Sequence, residues 1–326
     1  MERLPDPVTL AIPGFVLLVL AEMLVARLRD RGRYCPRDTL TSLMLGLGST
    51  VASALAAGTV FAIAVWVHQF GIFDIGWQWY WFVAAFVLDD LAYYAFHRSA
   101  HRVRWFWASH VIHHSSQHYN LSTALRQSWT GFFSLAFLFR LPLFLIGFPP
   151  AMVFFCAGLN LIYQFWIHTE MIGRMPRWFE AVMNTPSHHR VHHATNPRYL
   201  DTNYAGVFIV WDRMFGTFTP ERDDDRPRYG IVHDLGRFDI LWAAFHEWSA
   251  IARDLIRAPG WADRWRYIAR EPGWTHDATR ETSAQIRARW LAAKRRPDAT
   301  EDDRSWTKPI SSSSGADPGA VPPQAA

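Results

Sequence analysis

The histidines of this 326-residue chain are concentrated in a few closely spaced groups. One group has the spacing H-x-x-x-H, two later groups have the spacing H-x-x-H-H, and His168 lies between those two. Residues three or four positions apart share one face of a helix, so each group can aim its imidazole rings at one point. Because neutral imidazole is the commonest metal ligand in proteins, this pattern predicts metal binding. The predicted ligands are His97, His101, His110, His113, His114, His168, His189, His192 and His193.

The number of candidate ligands indicates more than one metal ion. A structural zinc ion takes four ligands, and a catalytic zinc ion keeps three protein ligands and an open position. Nine imidazoles therefore suit two ions that are bridged or close together and that can share one substrate or one oxygen species. Iron, zinc, copper and nickel all accept imidazole, so the ligand set alone leaves the metal open.

Motifs of several other enzyme classes are missing from the sequence. Arg98 follows His97, so this group lacks the H-E-x-x-H motif of metalloproteases. The paired motifs of zinc deaminases and the glycine-rich loops that bind nucleotides are also absent. The two cysteines, Cys35 and Cys156, are far apart and form no metal-binding spacing, so we expect no disulfide and a reducing compartment. Electrons for any redox chemistry would then come from outside the chain.

Apolar segments must position these histidines, and their lengths predict a membrane protein. Half of the residues are hydrophobic, yet the mean hydropathy is only −0.04, as expected when apolar spans are averaged with a charged remainder. Residues 7–26, 40–67 and 79–96 are predicted spans, since a bilayer requires about 20 apolar residues. Residues 131–148 and 150–167, joined by the sequence GFPP, predict a hairpin that enters the membrane and returns.

Charges beside the spans predict their orientation. Five arginines lie in residues 27–38, so the positive-inside rule places this loop in the cytoplasm, together with every clustered histidine. The predicted fold is an all-α integral membrane protein of several spans, in which a transmembrane helical bundle is capped by a cytoplasmic, histidine-rich helical di-metal site. In a bacterial cell this membrane would be the inner one.

The C-terminal third has a different composition. Residues 236–295 predict amphipathic helices, rich in Trp and Arg, that lie on the membrane surface. Residues 296–326 are rich in Pro, Ser and Ala and predict a disordered tail. We therefore expect one membrane domain over residues 1–295, with its histidine-motif core at about 79–220. The net charge of +4 comes without a nucleic-acid-binding motif, so we expect the lipid bilayer, and not nucleic acid, as a partner.

Several polar residues near the histidines are candidates to orient the ligands or a substrate. Asp90 lies seven residues before His97 and can accept the free ring N–H of a ligating histidine, although a helix cap or an interfacial acid fits it equally well. His188 adjoins the third group outside its spacing and is either a ligand or a partner of one. The other candidates, which fit supporting roles better than catalytic ones, are Asn120, Arg126, Asn203 and Asp212.

Longer stretches around the histidines carry a resemblance to a known family. They are HHSSQHYNLSTALRQS (113–128), LIYQFWIHTE (161–170), NTPSHHRVHH (184–193) and NYAGVFIVWDRMFGTF (203–218). Together with the three ordered histidine motifs, they resemble the fatty acid hydroxylase/sterol desaturase superfamily of integral-membrane di-iron enzymes. Within it the likeness is strongest to the alkylglycerol monooxygenases, which are pteridine-dependent and cleave ether lipids.

The resemblance implies an oxygenase with two iron ions, molecular oxygen and a lipid whose C–H bond is hydroxylated, with cleavage of alkylglycerol ether lipids as one outcome. It implies that the eight motif histidines and His168 bind the metal, with no catalytic residue beyond the ligands. Electrons would come from an external reductant, either a reduced pteridine or a separate electron-transfer protein. Arg102 stands where animal alkylglycerol monooxygenases have Glu, and Gln164 stands where lipid 2-hydroxylases have His. The first difference bears on the pteridine, and the second argues against the 2-hydroxylase branch.

Three other functions stay open at this point. With the same site, the substrate could be a sterol, a hopanoid or a carotenoid-like lipid, and the product could be hydroxylated or desaturated. A membrane metal-binding or transport protein would need polar residues along several spans, whereas these ligands lie at one membrane face. A zinc hydrolase would need a Glu base, which the clusters lack.

Overall fold

The computed structural model describes residues 4–29 and 34–295, which fold as helices and loops without a β-strand. The predicted tail at 296–326 and the middle of the arginine-rich loop, 30–33, lie outside the described residues. In chain order the helices are α1 (Pro7–Arg29), α2 (Pro36–His68), α3 (Trp79–Arg102), α4 (Arg104–His114), α5 (Leu121–Ala124), α6 (Leu141–Ile146), α7 (Pro150–Trp166), α8 (Arg177–Val182), α9 (Pro186–His192), α10 (Val210–Met214), α11 (Ile240–Arg257), α12 (Trp261–Ala269) and α13 (Ser283–Arg295).

Two of the described helices, α1 and α2, are long and apolar enough to cross a membrane. At 1.5 Å per residue, each exceeds the roughly 30 Å of a hydrocarbon core. Their side chains point mainly outward: Leu10, Leu17 and Leu55 are 68%, 67% and 81% exposed. Apolar surface of this extent is stable in contact with lipid and unfavourable in water. These helices and the all-helical fold agree with the predicted membrane association.

The third predicted span and the predicted hairpin differ from expectation. Helix α3 is uninterrupted and continues to Arg102, and although it is long enough to span a membrane, it is less apolar than α1 and α2. Residues 131–148 form turns, a 3-10 helix at Ala136–Arg140 and the short α6, with Leu135 in the left-handed region at φ 56°. Arg140 explains part of this, because its Nε donates to Asp89 Oδ1 at 2.6 Å instead of facing lipid.

The turn between α6 and α7 is fixed by one glycine. Gly147 has φ +120°, and a Cβ there would lie 1.8 Å from the carbonyl oxygen of Phe73. A side chain at this position would therefore clash with the loop that follows α2. The predicted turn at GFPP is present, although the arm before it is α-helical only over Leu141–Ile146.

The core lies between α3 and its neighbours α2, α6 and α7, where Ala85, Phe144 and Met152 are buried together. A second cluster joins α2, α4 and α11 through Leu45, Ile112 and other residues. Helices α3 and α4 are separated only by Val103, whose extended backbone turns the chain between them. This bend brings the histidines at the end of α3 beside those of α4.

The C-terminal helices are attached to α4 by a buried ion-pair network. Arg104 is only 2% exposed, and it donates to Glu247 Oε1 and Asp254 Oδ2, each at 2.6 Å. Asp254 also accepts from Arg280 at 2.6 Å. Residues 236–295 form α11, α12 and α13, of which α11 and α12 are amphipathic as predicted. Helix α11 carries acidic partners for α4 on its inner face.

Candidate metal centre

The nine predicted ligands lie together in the structure and form two groups. Within each group, the nitrogens that could bind one ion are all within 4.8 Å of one another. Group 1 consists of His97, His101, His110, His114 and His192, and group 2 consists of His113, His168, His189 and His193.

Each H-x-x-H-H motif is divided between the two groups. On α4, His110 and His114 are four residues apart and both belong to group 1, whereas His113 turns toward group 2. On α9 the assignment is reversed, because His189 joins group 2 and His192 joins group 1. The expectation that each motif aims at one point is therefore corrected. Both helices present imidazoles on two faces, and the rings of one face belong to group 1 while those of the other belong to group 2.

The ring nitrogens converge closely within each group. In group 1, His110 Nε2 lies 2.9 Å from His97 Nε2 and 3.0 Å from His114 Nε2. In group 2, His168 Nε2 lies 3.1 Å from His113 Nε2 and 3.0 Å from His189 Nε2. Two nitrogens at ~2.1 Å from one metal ion, with an angle near 90° between them, would be about 3.0 Å apart. The observed separations therefore match those of ligands that share an ion.

The outer nitrogens of five rings fix which nitrogen carries the proton. His97 Nδ1 contacts the carbonyl oxygen of Tyr204 at 2.7 Å, and His192 Nδ1 contacts that of Thr202 at 2.9 Å. A carbonyl can only accept, so these Nδ1 atoms donate and the Nε2 atoms keep a lone pair that points inward.

The same rule applies to two rings of group 2 and to a third ring of group 1. His113 Nδ1 donates to the carbonyl of Arg126 at 3.2 Å, and His168 Nδ1 donates to that of Gln164 at 2.7 Å. In group 1, His101 Nδ1 contacts Asp201 Oδ1 at 3.2 Å.

Inward lone pairs at these separations call for a cation. His113 Nε2 and His168 Nε2 are 3.1 Å apart, and because both are acceptors they cannot hydrogen-bond to each other. In group 1, the Nε2 atoms of His101 and His192 are buried without a hydrogen-bond partner. Such buried acceptors are costly unless a positive ion satisfies them. The donor set therefore fits two metal ions held by nitrogen.

The electrostatics of the rings favour the ligating form. Burial, reinforced by neighbouring imidazoles, lowers the pKa of His110, His189 and His192 well below the usual value. Burial also lowers the pKa of His113 to about 4. The rings are thus neutral at physiological pH, which is the form that binds metal. Rings of the two groups also stack directly, with centroids 4.4 Å apart for His114 and His193, so that two bound ions would be neighbours.

Residues 201–204, with the sequence DTNY, support most of group 1. This run supplies the side chain of Asp201 and the carbonyls of Thr202 and Tyr204 as acceptors for three rings. Burial alone would raise the pKa of Asp201, but the hydrogen bond from His101 holds it below the ordinary value, so the side chain is a carboxylate. Sequence reasoning missed Asp201, because only its position directly after the third histidine motif could have drawn attention to it.

Backbone strain and two predicted residues hold this run in place. Asp201 and Asn203 have φ values of 54° and 57°, in the left-handed region, where Asp and Asn are better tolerated than most residues. The Asn203 amide donates to the carbonyls of His188 and Thr219. Asp212 accepts from the backbone N–H of Tyr204 at 2.8 Å and also from the next residue. Asn203 and Asp212 thus support the acceptors and do not contact the rings.

The sequence left Asp90 between a partner of a ligating imidazole and a cap or interfacial acid, and its contacts in the structure are with N–H donors outside the histidine groups. Its carboxylate accepts from the backbone N–H groups of Val207 and Phe208 and from the side chains of Asn160 and Trp211, at 2.8–2.9 Å. None of these donors is an imidazole. Gly206 allows this close approach, since a Cβ there would lie 2.7 Å from Asp90 Oδ1. Asp90 therefore anchors the loop after residue 204 to α3.

The other predicted supporting residues also lie one layer outside the rings. Arg126 contacts His113 only through its carbonyl, while its guanidinium donates to Asp38 at 2.8 Å. Asn120 caps α5 by accepting from the backbone N–H of Ser122. His188 belongs to neither group, and its Nε2 lies 3.9 Å from Glu180. His188 is therefore not placed as a ligand.

Comparisons with known proteins agree with this site. Residues 82–217 match the fatty acid hydroxylase family model, and this range contains all nine histidines. The chain is 39% identical to alkylglycerol monooxygenases of Danio rerio and Homo sapiens, over 84% of its own length and 61% of theirs. An ornithine lipid hydroxylase of Rhizobium tropici is 27% identical over 42% of the chain and 41% of that protein. No solved structure is significantly similar. The resemblance to the fatty acid hydroxylase superfamily is confirmed, while the chain spans about three fifths of the alkylglycerol monooxygenases that it matches.

Proposed function

Because residues 82–217 carry a fatty acid hydroxylase domain, we propose that the protein is a membrane-bound di-iron oxygenase that hydroxylates a lipid C–H bond with O2. The observation that carries this proposal is the pair of adjacent histidine groups, whose fixed tautomers point Nε2 lone pairs inward. The alkylglycerol monooxygenases among the relatives favour an ether lipid as the substrate.

In this proposal, the five nitrogens of group 1 hold one iron ion and the four of group 2 hold the other. The chemistry that the ions supply when bound is the reduction of O2 with insertion of one oxygen atom into a C–H bond. The protein keeps the rings neutral, correctly oriented and out of water. Buried backbone carbonyls and the carboxylate of Asp201 fix the ring orientations, and such outer contacts raise the basicity of ligating nitrogens.

For an ether lipid, hydroxylation of the carbon beside the ether oxygen consumes O2, two electrons and two protons and releases water. The product is a hemiacetal, which collapses to a fatty aldehyde and glycerol. The electrons come from an external donor, which we expect to be a reduced pteridine or an electron-transfer protein. Arg102 bears on the choice of this donor, since it stands where animal alkylglycerol monooxygenases have Glu. Its Nη1 donates to Glu271 Oε1 at 2.7 Å on a partly exposed surface near the site.

The membrane arrangement is part of the proposal. We infer that α1 and α2 span the bilayer, that α3 and the α6–α7 hairpin insert beside them, and that residues 1–295 form one membrane domain. The last turn of α1 carries Arg27 and Arg29, and α2 begins beside Arg37. By the positive-inside rule, this charge supports a cytoplasmic location for the connecting loop and for the histidines. Apolar side chains on the outer faces of the spans then give a lipid direct access from the bilayer.

The test is an oxygen-labelling assay on the purified protein in lipid nanodiscs, loaded with ferrous iron and supplied with a reduced pteridine. With a 1-O-alkylglycerol as substrate and ¹⁸O2 as oxidant, we expect a fatty aldehyde that forms only with oxygen and carries the label when trapped at once. The variant His114→Ala serves as the matched control and should be inactive. Turnover without oxygen would contradict the proposal. A sterol or another polar lipid hydroxylated in place of the ether lipid would keep the oxygenase class and replace the substrate.

A further inference from the structure

The junction between α11 and α12 exposes a group of large apolar side chains. Ile256, Trp261 and Trp265 are 80%, 81% and 68% exposed. With Leu255, Arg264 and Ile268 they line an open groove of about 510 Å³, which we call the elbow groove. Contiguous apolar surface of this kind marks a contact with a membrane or another molecule.

Charge around the elbow groove favours an anionic partner. The acidic side chains Glu247 and Asp254 point inward and form ion pairs with Arg104. On the outside, Arg253 and Arg257 are exposed beside Ile256. Trp and Arg side by side on the outer face of an amphipathic helix are typical of the boundary between lipid head groups and acyl chains.

Helix α11, whose far end forms the elbow groove, begins beside the lipid-facing surface of α2. Thr41 in the first turns of α2 donates its hydroxyl to the carbonyl of Phe238 at 3.0 Å, directly before α11. The ring of Phe245 packs at 6.2 Å from Trp129, whose Nε1 donates to the carbonyl of Leu45 at 3.0 Å. Helix α11 thus starts at the N-terminal end of α2, where Leu40, Leu43 and Leu47 are exposed.

From these observations we propose that the elbow groove docks onto the anionic lipid surface of the bilayer. Trp261 and Trp265 insert at the head-group level, and Arg257 and Arg264 bind lipid phosphates. This inference rests on the proposed insertion of α2 in the membrane. Its consequence is mechanical: α11 is joined through Arg104 to α4, so docking holds α4, which carries ligands of both groups, at a fixed height above the lipid.

The experiment measures how deeply single sites lie in lipid nanodiscs. In a Cys35→Ser/Cys156→Ala background, an environment-sensitive fluorophore is attached at Trp265→Cys, and at Ile256→Cys as a second probe. Quenching is measured with phospholipids that carry a nitroxide near the head group. Two references accompany these probes: Leu55→Cys on the outer face of α2, quenched by nitroxides deep in the acyl chain, and Asp223→Cys, which is 92% exposed on a charged loop.

We expect both elbow probes to be quenched well above the Asp223 reference, and more strongly when phosphatidylglycerol is added to phosphatidylcholine. Replacing Arg257 with Gln should reduce the docked-to-undocked ratio in the anionic nanodiscs by about fivefold, the effect of one arginine near an anionic surface. If the Leu55 probe is quenched but the elbow probes match Asp223, docking is refuted and the proposed span stands. If the Leu55 probe is not quenched either, the membrane arrangement fails and this inference fails with it. Quenching that is independent of anionic lipid and of Arg257 would overturn the phosphate contacts.

Discussion

The division of each H-x-x-H-H motif between two groups can be tested with variants that each remove two rings. His192 and His193 are neighbours in one motif, but they belong to group 1 and group 2, respectively. Their double alanine variant reduces group 1 from five nitrogens to four and group 2 from four to three. The variant His168→Ala/His193→Ala also removes two rings, but both come from group 2, which falls from four nitrogens to two.

The two variants should therefore differ in metal content. Three protein nitrogens are enough to hold a catalytic metal ion, whereas a site with two has lost half of its ligands. We expect about two ions per chain in His192→Ala/His193→Ala and about one in His168→Ala/His193→Ala. The assay is elemental analysis by plasma mass spectrometry after anaerobic loading with ferrous iron and gel filtration in detergent. Circular dichroism confirms that each variant is folded.

His188→Ala is the control, because His188 adjoins His189 in the sequence and lies outside both groups. It should retain the metal content of the wild type. If the two double variants lose equal amounts of iron, or if removing the neighbouring pair costs more, each motif acts as one unit. The assignment to two groups would then be wrong.

Three further outcomes follow from contacts around the site. Asp201→Asn keeps an acceptor for His101 but removes the negative charge of the side chain. Iron in group 1 should then be released at about tenfold lower chelator concentration, while iron in group 2 is unchanged. Simultaneous weakening of both groups would contradict this. Arg104→Met leaves Glu247 without its cation and Asp254 with Arg280 alone, and it should destabilise the protein by about 3 kcal/mol in thermal unfolding. Wild-type stability would refute the importance of this network. Burial lowers the pKa of His246, so the folded state keeps this ring neutral. Below about pH 6.5 the unfolded chain takes up the proton first, so the wild type should lose stability as the pH falls. The variant His246→Gln should show a shallower loss, and identical pH profiles for the two proteins would contradict this.

The sequence was sufficient to identify the histidines as one site because helical spacing is a local property. Residues 97 and 101, or 110 and 114, share a face whatever the rest of the chain does. It could not divide the motifs, since adjacent rings such as His113 and His114 occupy different faces of α4. Which face meets which partner depends on where α7 and α9 pack, and that is set by contacts distant in sequence, such as the 3.1 Å approach of His168 to His113.

Carboxylates were harder to place than imidazoles. Asp90 lies on the correct helix, but its four donors come from residues 70 to 121 positions away. Asp201, which does contact a ring, belongs to a strained loop whose conformation follows from anchors such as Asn203 and Asp212. Similarly, apolar composition predicted one continuous arm over 131–148, whereas the Arg140–Asp89 ion pair and the left-handed Leu135 break it. Composition reports the environment of a segment better than its local geometry.

The most direct test of the whole account is the metal content and oxygen reactivity of the unmodified protein. The chain is purified in detergent, loaded anaerobically with ferrous iron and examined by elemental analysis and Mössbauer spectroscopy before and after exposure to O2. The account predicts about two iron ions per chain, one in each histidine group, that are oxidised together when oxygen is admitted. A single ion per chain, or iron that does not react with oxygen in the presence of lipid, would contradict the di-iron oxygenase.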